Sequence, residues 1–224
     1  MNAAAPAEPR LDIISDAICP WCYIGKRQVE RALPTLAGEG LNFAITWHPF
    51  QLNPEMPEEG VDRREYRLRK FGTEERIAEM DRRIVEAAAT VGLDFHPELM
   101  RRTPNTVAAH RVIWLAGQSG VQDAIVERLF RGYFCEGADI GDPETLATLA
   151  DEVGLPRETV TSLLATDAGK REVLDEDSAA RHSGLNGVPS FVMQRHLLFS
   201  GAVPADAMAE AFAKAWRILE ARAA

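Results

Sequence analysis

The sequence predicts an α/β fold in which a strand–helix–strand unit and a strand–strand–helix unit flank a long block of helices. Three observations carry that expectation. A short apolar run at 11–15 leads into a helical pattern and then an alternating segment at 41–47. From about residue 65 to 181 apolar residues recur at helical spacing almost throughout. Strand patterns return only after Gly187, and an amphipathic helix closes the chain.

Taken in order, residues 1–9 are rich in alanine and proline and lack the basic start and apolar core of a signal peptide. They read as a flexible leader, and a cytoplasmic address is expected. Residues 11–15 suit a buried strand. The helical pattern from Cys19 carries Ile24, Val29, Ala32 and Leu33, with Pro34 near its end. Residues 41–47 suit a half-buried strand, and the connection is long enough for a parallel βαβ crossover. Thr73 can cap a helix bearing Ile77, Met80, Ile84 and Val91, stopped by Gly92. Thr103-Pro104 signals another start, with Gly120 past its end, and Asp142-Pro143-Glu144 repeats the signal before Leu146, Leu149 and Val153. Asp167 is expected to begin a helix that ends at Gly184.

Residues 190–193 and 196–199 form a predicted hairpin about Gln194-Arg195, a turn without the usual Gly or Asn. The last helix, 204–222, places Met208, Phe212, Ala215, Trp216 and Leu219 on one face. Taking the helical block away leaves a minimal thioredoxin-like core. The expected division is therefore 10–61 with 185–224 as a thioredoxin-like domain and 62–184 as an inserted α-helical domain.

The chain has 224 residues and a net charge of −9, which argues against nucleic acid as the main partner. The densest basic run, Arg63, Arg64, Arg67, Arg69 and Lys70, is interleaved with Asp62 and Glu65 and reads as a solvated helix face. No apolar run approaches the ~20 residues of a membrane span. Three cysteines cannot form a disulfide framework, but two of them stand as Cys19-Pro20-Trp21-Cys22.

That motif falls at a predicted strand-to-helix junction. Residues three apart share a helix face, so two sulfurs there can meet in disulfide geometry. Unpaired N–H groups and the helix dipole favour a thiolate at such a position. Cys19, at an exposed tip, is the expected attacking thiol and Cys22 the resolving one. Half a zinc site is the competing reading. Zinc takes four ligands, and Cys135, His48, His96, His110 and His182 are too scattered to supply them, so no metal is expected. Gly187-Val188-Pro189-Ser190 places a proline just before a strand, where it need not donate to the sheet.

With these pieces together the chain resembles the DsbA family of thioredoxin-fold proteins, and within it the FrnE-like branch. The residues that carry the resemblance are Ser15-Asp16 before Cys19-Pro20-Trp21-Cys22-Tyr23-Ile24-Gly25-Lys26; Pro49-Phe50-Gln51-Leu52-Asn53-Pro54; Arg102-Thr103-Pro104-Asn105-Thr106 with Ala109-His110-Arg111; Tyr133-Phe134 with Glu136-Gly137 and Asp139-Ile140; and Gly187-Val188-Pro189. The resemblance implies Cys19 as nucleophile, Cys22 as resolving thiol, and Val188 with a cis-Pro189 as the loop that hydrogen-bonds an extended substrate beside Pro20 and Trp21. It implies a thiol or disulfide substrate, protein or glutathione, with glutathione a thiol co-substrate and no tightly bound cofactor. A homodimer is compatible with it.

The sequence also departs from the pattern. Cys135 stands where the branch carries Thr, and reads as a small buried residue rather than a third redox thiol. His48 stands where a longer basic residue is expected; it ends the strand or acts weakly near the site. Ile13 occupies the position, six before the nucleophile, where thioredoxins keep a buried carboxylate. Asp16 is expected at the mouth of the site, where its charge would oppose a thiolate on Cys19, or else as a polar residue closing the strand. Asn105 reads as a helix cap that borders the cleft. The neutral Pro20-Trp21 pair, without the His of strong oxidants, implies an intermediate potential.

Two other readings stay open. A glutathione-dependent transferase or a 2-hydroxychromene-2-carboxylate isomerase shares the core but typically carries Ser in place of the first cysteine. A non-catalytic module would use the proline groove to bind peptides.

Overall fold

The structure, a computed structural model, describes residues 9–223. Most of the expected leader, 1–8, lies outside the described residues. Pro9 itself is buried, and its carbonyl accepts the Ala44 N–H at 2.9 Å, so ordered sheet contacts begin one residue before position 10.

Strand β1 (Arg10–Ser15) carries the apolar run, and α1 (Pro20–Gly38) follows it. Pro34 lies inside α1, one turn before its end. Strand β2 is Ala44–Pro49, three residues later than the alternation suggests, because 44–49 is the stretch that pairs in parallel with β1. After the helical block come β5 (Ser190–Met193), β6 (His196–Ser200) and α9 (Ala205–Ala223). The main sheet has the order β2-β1-β5-β6, with β5 antiparallel to both β1 and β6. The hairpin turns on Gln194 and Arg195, both at positive φ (47° and 68°), the backbone that a two-residue turn demands even without glycine. Helices α1 and α9 pack together, and Phe191, Phe199, Phe43 and Phe212 fill the space between sheet and α9.

Between β2 and β5 run a short ladder, β3 (Val61–Asp62) with β4 (Arg102–Thr103), and seven helices: α2 (Arg63–Phe71), α3 (Glu74–Thr90), α4 (Val107–Gln118), α5 (Gln122–Glu136), α6 (Pro143–Asp151), α7 (Arg157–Leu164) and α8 (Lys170–His182). The expected caps at Thr73 and Asp142 form, each accepting a backbone N–H three residues on. The start expected at Thr103-Pro104 does not. Thr103 is paired in β4, and α4 begins at Val107. Likewise α8 starts at Lys170 behind Gly169 rather than at Asp167.

The helical block is bound to α1 by apolar and charged contacts together. Tyr23 stacks on Phe130 of α5 with centroids 5.0 Å apart, and Phe95 stacks on Phe134 at 4.8 Å. The Lys26 side chain is buried, and its ammonium meets Asp123 at 3.0 Å and Glu127 at 3.5 Å, both on α5, as well as Glu30. Asp123 in turn accepts the Trp47 indole N–H at 2.9 Å, which ties β2 into the same network.

Candidate active site

The end of β1 and the start of α1 bring the two thiols together. Cys19 is the N-cap residue, with extended backbone (φ −90°, ψ 112°), and Pro20 fills the first turn, where no N–H is needed. No side chain caps this helix. The Cys19 carbonyl accepts the Cys22 and Tyr23 N–H groups at 3.0 and 3.4 Å, which turns Cys22 inward. Both thiols are free. Cys19 is 3% exposed and Cys22 is wholly buried. Both cysteines are buried, so Cys19 is not at an exposed tip; the exposed residue of the motif is Trp21, at 42%.

Burial, and then the hydrogen bond and charge of Cys19, hold the Cys22 thiol well above the ordinary cysteine range. The Ser15 hydroxyl and the Asp16 backbone N–H act in the opposite sense.

The loop before β5 closes over the pair. The Val188–Pro189 peptide bond is cis, and the Cys19 thiol donates to the Val188 carbonyl at 3.5 Å. Gly25 lets this loop approach α1: a Cβ on Gly25 would lie 3.0 Å from Pro189 Cγ. Ser190 is pinned by its hydroxyl to the Gly187 carbonyl at 2.8 Å.

Asp16 is not at the mouth of the site. It is fully buried, accepts the Leu52 N–H at 2.7 Å, and lies 3.5 Å from the His110 Nε2 on α4. The physical reason is the 49–52 segment, which folds over the end of β1 and brings the Leu52 N–H to the carboxylate. That segment is held from the other side by α8. Asp177 accepts the Gln51 N–H at 2.8 Å, and the Arg181 guanidinium lies 4.2 Å from the Phe50 ring centroid and donates to the Gln51 carbonyl.

His48 faces away from the thiols. Its ring bridges Asp12 on β1 and Glu176 on α8, each at 2.9 Å. Asn105 donates to the Met56 carbonyl at 2.7 Å and accepts the Val107 N–H at 2.9 Å, so it braces the 53–57 loop as well as the start of α4. It also lines a cleft of about 900 Å³ with Gln51, Met56, Arg111 and Lys170. Cys135 is half-buried at the end of α5, where burial and then Asp94 and Glu136 push its thiol up. The thiol that Cys22 meets is Cys19.

A family model of the DSBA-like thioredoxin domain matches residues 10–213. The chain belongs to the DSBA-like thioredoxin domain family. The YwbO protein of Bacillus subtilis is 26% identical to this DSBA-like chain over 186 residues, 82% of this chain and 86% of that protein. The crystal structure of a probable DsbA oxidoreductase from Streptomyces coelicolor is 30% identical, with a TM-score of 0.83 over 93% of this chain and 90% of that one. The cytosolic disulfide reductase DsbM from Pseudomonas aeruginosa, solved with glutathione, shares the fold at 19% identity and a TM-score of 0.63, over 94% of this chain and 99% of that one. A 2-hydroxychromene-2-carboxylate isomerase does so at 16% and 0.67, over 96% and 98%.

Within this DSBA-like domain, the Asp177–Arg181 hold on Gln51 and the Asp16–His110 contact had no sequence signal of their own. Each joins segments far apart in the chain, and only spacing within one element is legible in sequence. Among the described residues, no helix is long and apolar enough to cross a membrane.

Proposed function

We propose that the protein is a thiol–disulfide oxidoreductase of the FrnE-like branch, acting in the cytoplasm through Cys19 as attacking thiol and Cys22 as resolving thiol. The observation that carries this reading is the asymmetry of the pair. Cys19 stands at a helix N-terminus with its thiol against the Val188 carbonyl, while Cys22 is sealed and held protonated. A sulfur at a helix start, at the positive end of the helix dipole, is suited to attack a disulfide; its buried neighbour is suited to act second. The Val188-Pro189 loop offers its backbone to an extended substrate beside Trp21.

Glutathione is the thiol co-substrate we favour. The cleft beside Gln51 and Asn105 sets Lys170 against Glu58, Glu59 and Asp167. Charges of both signs suit a small peptide that carries two carboxylates and an ammonium. The glutathione-bound DsbM supports the same reading. Two cysteines at the site, where transferases and isomerases of the superfamily typically carry one Ser, weigh against that alternative.

The test is reduction of a protein disulfide such as insulin, with glutathione as electron source. Wild type is expected to turn over, Cys19→Ala to lose all activity, and Cys22→Ser to stall as a mixed disulfide at Cys19, visible as added mass. Full activity in Cys19→Ala sinks the proposal, and full activity in Cys22→Ser excludes an intramolecular disulfide.

A further inference from the structure

Helix α8 uses one stripe of residues for two purposes. Lys170 and Leu174 line the cleft of about 900 Å³, and Asp177 and Arg181 continue at helical spacing toward the C-terminal end. These last two close on Gln51, which also lines the cleft. Asp177 is 5% exposed. Its Oδ1 accepts the Gln51 N–H at 2.8 Å, and its Oδ2 accepts the Gln51 side-chain amide at 3.3 Å and the Arg181 Nε at 3.1 Å. Arg181 donates to the Gln51 carbonyl and lays its guanidinium 4.2 Å from the centre of the Phe50 ring. The N–H, the carbonyl and the side-chain amide of one loop residue are thus all held by one turn of one helix.

A buried carboxylate is costly even when bonded, and an apolar pair of similar size would seal α8 against this segment at less cost. What the polar pair adds is direction, because hydrogen bonds weaken steeply off axis while apolar contacts tolerate sliding. The other edge of the segment is tied to the end of β1. The Phe50 N–H donates to the Ser15 carbonyl at 2.9 Å and the Leu52 N–H to Asp16 Oδ2 at 2.7 Å. The Asp16 carbonyl in turn accepts the Cys19 N–H at 2.9 Å. Residues 50–52 therefore lie between the strand that leads to the thiol and the helix that walls the cleft.

We propose that Asp177 and Arg181 are positioning residues for glutathione: by fixing residues 50–52 against α8, they set the shape of the cleft and its place relative to Cys19. This rests on the glutathione reading above. Neither residue touches the sulfurs, so neither is a catalytic residue. Without their hold, Lys170 and Cys19 stay in place but residues 50–52 are freed. Glutathione must then order that segment as it binds, which weakens binding. Sulfur exchange at Cys19, anchored from β1, continues at its own rate. Glu176, the residue before Asp177, meets His48 at 2.9 Å and keeps α8 docked when the hold on Gln51 is lost.

The test is steady-state insulin reduction by the full-length protein, with glutathione as the varied reductant. Arg181→Met keeps a long side chain over Phe50 and removes the bonds to Gln51 and Asp177. It should raise the glutathione KM about tenfold and leave kcat within about twofold. Asp177→Asn keeps an acceptor for the Gln51 N–H but loses the charge that orients Arg181, and should raise KM by about threefold. Arg181→Lys, which still carries a donor toward the Gln51 carbonyl, should recover most of the loss. Urea midpoints are recorded alongside: a role in stability alone would lower the midpoint and leave KM where it is. A KM within about twofold of wild type in both Arg181→Met and Asp177→Asn overturns the positioning role and leaves the glutathione reading standing. A wild-type rate that does not saturate with glutathione, while dithiothreitol still drives turnover, overturns the glutathione reading and the positioning role with it.

Discussion

At the scale of single residues, protonation sets the behaviour of this protein. His48 shows how. Burial would lower its pKa, but the hydrogen bonds and charges of Glu176 and Asp12 overcome that and hold it above its ordinary value of 6.5. A pKa raised on folding means that the folded state binds the proton more tightly than the unfolded chain. The stabilisation is complete below the unfolded value and is lost as pH rises through the folded one. Wild type is expected to lose stability to urea as pH climbs from 6.5 upward, and His48→Gln to show a flatter profile. Identical profiles would contradict the assignment. Cys22 obeys the same sign at a higher range: its raised thiol pKa favours the folded, reduced state until the solution turns alkaline.

At the scale of elements, the site is an agreement among α1, the 187–190 loop, the 49–52 segment and α8. Gly25 is where α1 and the loop meet most closely, with Pro189 Cγ 3.0 Å and Phe191 Cζ 3.7 Å from the place of a Cβ. An alanine there favours the helix by about 1 kcal/mol but must push the loop back by a few tenths of an ångström. Gly25→Ala is expected to keep its fold by circular dichroism while its insulin-reduction rate drops about tenfold. An unchanged rate would mean that the loop's distance from α1 does not matter. On the far side, Asp177 and Arg181 of α8 grip Gln51, so a helix that contributes no thiol still shapes the floor of the site.

At the scale of the whole molecule, the question is whether the helical segment and the sheet act as one. We propose residues 62–184 as an inserted helical unit on the strength of chain order, but its joints to the core are extensive. The stack of Tyr23, Phe130, Phe134 and Phe95 runs from α1 through α5, and Lys26 binds Asp123 and Glu127 beside it. A single cooperative unfolding transition is expected, and Phe130→Ala should lower stability by about 3–5 kcal/mol without splitting it. Two separate transitions in wild type, by fluorescence and circular dichroism, would show that these contacts do not couple the parts.

The sequence by itself determined the outer order, strand–helix–strand before the helical block and strand–strand–helix after it, the parallel β1–β2 pairing, the hairpin after Gly187 and the place of the two cysteines at a helix start, but not the β3–β4 ladder within the block. These are local matters of periodicity, capping and turn chemistry, written in neighbouring residues. It misplaced the start of α4, because Thr103-Pro104 mimics a helix start while its backbone is in fact paired with Val61. Only the tertiary structure decided that Asp16 is buried against His110, that Cys19 is buried with its thiol on the Val188 carbonyl, and that His48 pairs with Asp12 and Glu176. Each of those outcomes depends on which distant segment covers a polar group. Burial and pairing across the chain carry no periodic signal along it.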